Sequence, residues 1–131
     1  LSTHGSKESH MLFKFHFGFP IGFGNQEGGD VLIVGWGGTY GHLFSAVKEM
    51  RAEGKDVSLA HFNYINPLPR NTEELFARYK KIVVCELNLG QFAKYLKSKY
   101  PQFNYKQINK VAGLPFTVVE LVEKIDELMN D

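Results

Sequence analysis

The sequence predicts an α/β fold with a parallel sheet covered on both sides. Short apolar runs, Val31-Leu32-Ile33-Val34 and Ile82-Val83-Val84 among them, read as strands buried on both faces. Segments of helical periodicity separate them, and strand–helix–strand spacing of this kind demands crossover connections. The chain has 131 residues, 44% hydrophobic and 22% charged, which suits one domain with a real core.

Residues 31–35 form the first of these strands, stopped by glycines. Residues 39–54 read as a helix, with Leu43, Phe44, Val47 and Met50 at helical spacing and Gly54 as its C-cap. Residues 57–62 form a second strand. Asn66-Pro67-Leu68-Pro69 cannot be regular structure, because two prolines remove donors and bias their predecessors to extended geometry. Asn71 or Thr72 then caps a helix, with Glu73 and Glu74 in its first turn. Residues 81–86 are a third strand, 89–99 a helix ended by Pro101, and 103–108 a fourth, more polar strand. Residues 117–130 close the chain as a helix with Val118, Leu121, Val122, Ile125 and Leu128 on one face.

The N-terminal part differs in character. Residues 1–29 hold six of the thirteen glycines, and five of the eleven phenylalanines fall between Phe13 and Phe23. Residues 1–11 are polar, begin at Leu1 and read as tag-like or disordered sequence outside the fold, so the chain reads as a piece of a longer protein. Residues 12–19 alternate with period two, placing Phe13, Phe15, Phe17 and Phe19 on one strand face. Residues 12–29 are therefore either an extra edge strand with a return loop over 20–29, or non-native sequence. The domain proper spans residues 30–131.

Composition excludes several classes. Fifteen Lys and Arg against fourteen Asp and Glu give no global warrant for nucleic acid or an anionic membrane. No window holds about 20 apolar residues, so no spanning helix is expected. One cysteine, Cys85, forbids an internal disulfide and any multi-cysteine metal centre. The five histidines lack His-x-x-x-His spacing, and no metal site is expected.

Three stretches could carry chemistry. Gly35-Trp36-Gly37-Gly38-Thr39-Tyr40-Gly41 lies at a strand-to-helix turn, where glycines allow close backbone approach and a helix N-terminus offers free N–H groups. A dinucleotide fold would want an acidic residue after the second strand, where the chain has His61-Phe62-Asn63. The alternative is a tight turn with close helix–sheet packing. Glu86-Leu87-Asn88-Leu89-Gly90-Gln91 lies at the carboxyl end of the third strand, suited either to bonding a partner or ligand, or to capping through Asn88. Lys94, Lys97, Lys99, Lys106 and Lys110 fall in a stretch, 87–119, without Asp or Glu. They read as a solvated face, or as a receiver for an acidic partner or a phosphorylated cofactor. Cys85, paired with His42 or His61, could in principle be a nucleophile, but it sits inside an apolar strand and no triad is visible.

In order along the chain, Val34-Gly35-Trp36-Gly37-Gly38-Thr39, His61-Phe62-Asn63-Tyr64-Ile65-Asn66-Pro67-Leu68-Pro69, Val84-Cys85-Glu86-Leu87-Asn88-Leu89-Gly90-Gln91 and Lys110-Val111-Ala112-Gly113-Leu114-Pro115-Phe116 resemble one family. It is the C-terminal, transketolase C-terminal-like domain of the alpha subunit of 2-oxoacid:ferredoxin oxidoreductases, the 2-oxoglutarate enzymes in particular. The resemblance covers about residues 30–130, and Glu-x-Asn-x-Gly-Gln is its most specific element. It implies a three-layer α/β/α sandwich around a five-stranded, mostly parallel sheet with an antiparallel N-terminal edge strand.

It also implies a cytoplasmic, heteromeric oxidoreductase. The full complex would convert a 2-oxoacid, coenzyme A and oxidised ferredoxin to an acyl-CoA, carbon dioxide and reduced ferredoxin. Thiamine diphosphate, magnesium, an iron–sulfur cluster and coenzyme A belong to that complex. This stretch carries no cluster-binding cysteines and no Gly-Asp-Gly…Asn thiamine pattern. The expectation is thus a structural and assembly domain, inactive alone, packing against other alpha-subunit domains and a beta subunit, with ferredoxin an indirect partner. Its candidate interface or channel residues are Gly35, Trp36, Gly37, Gly38, Thr39, Asn66, Glu86, Asn88, Gly90 and Gln91, with none catalytic.

Overall fold

The computed structural model describes residues 12–14, 21–63, 65, 68–111 and 113–131. Strand β1 (Leu12–Lys14) and β2 (Ile21–Phe23) precede β3 (Gly29–Trp36). A 3-10 turn (Gly37–Thr39) leads into α1 (Tyr40–Ala52), then β4 (Val57–Phe62) and the short α2 (Thr72–Phe76). Then come β5 (Tyr79–Glu86), α3 (Gln91–Lys99), β6 (Tyr105–Asn109) and α4 (Val118–Met129).

The sheet order is β1-β2-β4-β3-β5-β6. Strands β4, β3, β5 and β6 run parallel, and β2 pairs antiparallel with β4. Strands β2 to β6 thus form the mixed five-stranded sheet that was expected. The short β1 adds a sixth, antiparallel to β2. The antiparallel strand on β4 is Ile21–Phe23, inside the stretch expected to be a return loop. Three residues are too few to show alternation, and what holds this strand is tertiary: Phe23 is buried with its ring 4.8 Å from Phe44. The expected strand over 12–19 is seen only at 12–14; residues 15–20, and the side chains of Phe13, Phe15, Phe17 and Phe19, lie outside the described residues.

Alternation along each strand divides the core. On one face Val31, Ile33, Leu59, Val83 and Cys85 pack beneath α1 and α4. On the other, Leu32, Val34, Phe62, Ile82 and Val84 pack beneath α2 and α3. The result is three layers.

Local signals explain most boundaries. Gly54 follows α1 with φ +84°, the left-handed geometry of a helix stop. Helix α4 opens with a capping box: Thr117 accepts from the Glu120 amide, and the Glu120 side chain accepts from the Thr117 amide. Its other end is held by Lys81, whose buried ammonium donates to the Leu128 carbonyl. Asn71 precedes α2 but makes no cap, and its buried Oδ1 has no partner. Thr72 instead donates to the Pro69 carbonyl at 2.7 Å, so the proline turn positions this one-and-a-half-turn helix.

Candidate functional site

The chain leaves β3 through α1 toward β4 on one side, and leaves β5 through α3 toward β6 on the other. The carboxyl ends of β3 and β5 therefore flank the point where the winding reverses, the usual ligand crevice of an open α/β sheet. A shallow groove of about 180 Å³ lies there, lined by Trp36, Gly37, Gly38, Thr39, Leu87 and Asn88. The glycine-rich turn and the Glu-x-Asn-x-Gly-Gln element thus meet in space.

Glu86 organises the crevice. It ends β5 beside Trp36, which ends β3; the register pairs Val34 with Val84 and so sets residues 36 and 86 side by side, on the α3 face. Its side chain is 1% exposed. One oxygen accepts the Phe92 amide at 2.8 Å and the Trp36 indole N–H at 3.4 Å; the other accepts the Ala93 amide at 2.8 Å. Asn88 completes the set: its Oδ1 accepts from the Gly90 amide at 2.8 Å and the Gln91 amide at 3.2 Å. All four amides that a helix leaves unpaired at its start are thereby satisfied from within one hexapeptide. The acidic side chain also sits at the positive end of the helix dipole.

Gly90 is required by this arrangement. Its φ is +93°, and a Cβ there would lie 2.5 Å from the Gln107 side chain. Gly35 is required too, since a Cβ would meet Leu43 Cδ1 at 2.2 Å, which brings α1 tightly onto the sheet. Gly38 and Gly41 are different: neither has a positive φ, and a Cβ at either would meet nothing within 4 Å. The fold gives no reason for glycine at these two exposed positions.

His61, buried at the end of β4, approaches the Gly37 carbonyl at 3.0 Å through Nε2 and packs edge-on against Tyr40. Burial pushes its pKa below the ordinary value, partly offset by that hydrogen bond. His61 therefore pins the glycine turn. Sequence reasoning missed this role; the signal available was an ionisable residue near the end of a mostly apolar run, Val57-Ser58-Leu59-Ala60-His61-Phe62. Thr39 pins the same turn through its hydroxyl, which donates to the Trp36 carbonyl at 3.1 Å.

The structure gathers Gly35, Trp36, Gly37, Gly38, Thr39, Glu86, Asn88, Gly90 and Gln91 around one crevice. Asn66 lies outside the described residues. His61 and Cys85 share a sheet row with Gly35 between them, about two strand spacings or ~9.6 Å apart. They form no nucleophile–base pair. His42 is exposed on α1. Cys85 is fully buried, and burial, with the nearby Glu86 charge, pushes its thiol pKa far up. The lysine stretch divides: Lys106 pairs with Asp131 and Lys110 with Glu120, whereas Lys94, Lys97 and Lys99 line the exposed side of α3.

The described residues do not fit an iron–sulfur cluster or a metal–diphosphate group. A lone buried thiol cannot hold an iron–sulfur cluster. Among the described residues no three His, Cys, Asp or Glu side chains converge as a metal–diphosphate site requires. The α3 amides that could cradle a phosphate are occupied by Glu86 and Asn88. Exposed apolar side chains follow the strand ends instead: Leu87 and Leu89 after β5, Val111 and Leu114 after β6.

Comparison with known proteins agrees with the resemblance. Residues 29–121 match the family "Pyruvate:ferredoxin oxidoreductase core domain II". The 2-oxoglutarate oxidoreductase subunit KorA of Mycobacterium tuberculosis is 40% identical over 92 residues, 70% of this chain and 14% of that protein. The alpha subunit of 2-oxoacid:ferredoxin oxidoreductase 1 of Aeropyrum pernix is 28% identical over 117 residues, 86% of this chain and 18% of that protein. The 2-oxoglutarate:ferredoxin oxidoreductase structure from Magnetococcus marinus, with 2-oxoglutarate, coenzyme A and succinyl-CoA bound, superposes with a TM-score of 0.78 at 26% identity. That match covers 89% of this chain and 20% of that one. The inactive beta4 tetramer of a split-gene transketolase shares the fold, with a TM-score of 0.66 at 20% identity over 90% of this chain and 43% of that one. The chain spans less than a fifth of the two sequence relatives. It belongs to the pyruvate:ferredoxin oxidoreductase core domain II family, as a domain of a 2-oxoacid:ferredoxin oxidoreductase alpha subunit.

Proposed function

We propose that this domain is a non-catalytic assembly element of a cytoplasmic, thiamine-diphosphate-dependent 2-oxoglutarate:ferredoxin oxidoreductase. The parent complex converts 2-oxoglutarate, coenzyme A and oxidised ferredoxin to succinyl-CoA, carbon dioxide and reduced ferredoxin. Thiamine diphosphate, magnesium and the iron–sulfur cluster are held by other parts of that complex, and a beta subunit completes it. The observation that carries this reading is the internal saturation of the α3 N-terminus. Glu86 and Asn88 consume the four amides of α3, so the β5 side of the crevice holds no free helix amide for a phosphate. What remains outward is apolar, with Leu89 82% and Leu114 60% exposed, which suits packing against protein. The choice of 2-oxoglutarate rests on the 40% identity to a subunit of that name.

The test is turnover by the full-length alpha subunit co-expressed with its beta partner. The expected result is coenzyme A-dependent ferredoxin reduction with 2-oxoglutarate, and none from this chain alone. Turnover of no 2-oxoacid by the assembly would refute the family activity; turnover by the isolated chain would refute the non-catalytic role.

A further inference from the structure

A second groove, of about 300 Å³, opens on the far side of Trp36, lined by Ile65, Gln91, Phe92 and Tyr95. Its walls are mostly aromatic and aliphatic, and Tyr95 is 38% exposed. Along the same helix stand Lys94, Lys97 and Lys99, all exposed. The net charge of +1 hides this asymmetry. Residues 118–131 carry five carboxylates and one lysine, but α4 lies across the sheet from α3. The acidic side chains on the α3 side are engaged: buried Glu86 by the Phe92 and Ala93 amides, Glu73 by Gln102 at 2.7 Å, and Glu74 by Arg78 at 3.5 Å.

We propose that this groove and lysine ridge together dock an acidic polypeptide segment carrying an apolar anchor residue. The anchor fills the slot between Trp36 and Tyr95, and the segment's carboxylates lie along Lys94, Lys97 and Lys99. A nucleotide suits the surface less, because the oriented amides it would need are taken by Glu86 and Asn88. A peptide needs only an apolar slot and a positive field. A second copy suits it less too, since three of the five carboxylates of the acidic face, Glu120, Asp126 and Asp131, are held by Lys110, Lys55 and Lys106. This inference does not depend on the oxidoreductase reading.

Trp36 is the only tryptophan, so its fluorescence reports occupancy of the groove directly. The probe is a short synthetic peptide of glutamates flanking a central Leu-Phe pair, titrated into the chain at low salt. We expect a saturable change in Trp36 emission, with affinity falling about tenfold on raising salt to about 0.3 M. The triple substitution Lys94→Glu, Lys97→Glu, Lys99→Glu should weaken binding by about tenfold or more with unchanged circular dichroism. Tyr95→Ala should also weaken it. No saturable change, equal binding of a peptide with Gln for Glu, or undiminished binding by the triple variant would overturn the proposal. So would an emission shift that tracks chain concentration without peptide, which would mark a second copy as the occupant.

Discussion

Replacing Glu86 with Gln tests the core of the crevice with one change of atom type. The wild-type carboxylate accepts the Phe92 and Ala93 amides at 2.8 Å each. A glutamine keeps one acceptor oxygen and turns an NH₂ donor toward the other amide. One buried N–H left without an acceptor costs about 1–3 kcal/mol. Loss of the negative charge at the α3 N-terminus adds about 0.3–1 kcal/mol, more in a buried setting. The sum is about 1–4 kcal/mol, which for a chain of this size lowers Tm by about 4–15 °C. Urea unfolding of wild type and variant, followed by circular dichroism, measures the free-energy difference. Amide hydrogen exchange localises it, with faster exchange expected at Phe92 and Ala93. A difference below about 0.5 kcal/mol, the size expected of an uninvolved surface change, would refute the capping role.

Other expectations follow from the same geometry. Gly90→Ala and Gly35→Ala should each destabilise by about 1–3 kcal/mol, the first from its positive φ and both from overlap, whereas Gly38→Ala should leave stability within about 0.5 kcal/mol. Thermal melts distinguish the three. Burial holds the His61 pKa below 6.5 in the folded chain. The unfolded chain therefore takes up a proton that the folded one refuses, so the stability at stake is full above that pH and lost as pH falls below it. His61→Gln should accordingly flatten the difference in urea midpoint between about pH 7.5 and about pH 5.5. Cys85, buried and held as the thiol, should resist iodoacetamide in the native chain and react after unfolding, as read by mass spectrometry.

Much of the fold is legible in the sequence because its signals are local. The apolar runs around Ile33 and Val83 and the periodicity around Val47 and Ile125 place β3, β5, α1 and α4 within two residues at most boundaries. Gly54 and Pro101 end their helices as their chemistry requires. The antiparallel strand Ile21–Phe23 is not legible, since it is specified by packing on Phe44 and pairing with β4. The failed Asn71 cap has the same origin: the proline turn before α2 supplies the contacts, so propensity at one residue does not decide.

The candidate site divides along the same line. Asn88 as a cap follows from local spacing. Glu86 reaches six and seven residues ahead only because β5 points it at α3, and its bond to Trp36 requires the register of β3 against β5. That long-range geometry changes the meaning of Glu-x-Asn-x-Gly-Gln: its Glu86 and Asn88 acceptors start α3, rather than standing free for a ligand.

The proposed role gives this domain a part in assembly and none in the chemistry. It is tested most directly by placing Leu89→Asp and Leu114→Asp in the full-length alpha subunit with its beta partner, and measuring both assembled fraction and turnover per assembled complex. Both side chains are exposed in this domain, so its own fold should survive. The account predicts a lower assembled fraction with turnover per complex within about twofold of wild type, well short of the about tenfold or greater loss typical of a catalytic group. Full assembly with turnover reduced more than about tenfold would contradict it and place these loops in the catalytic machinery.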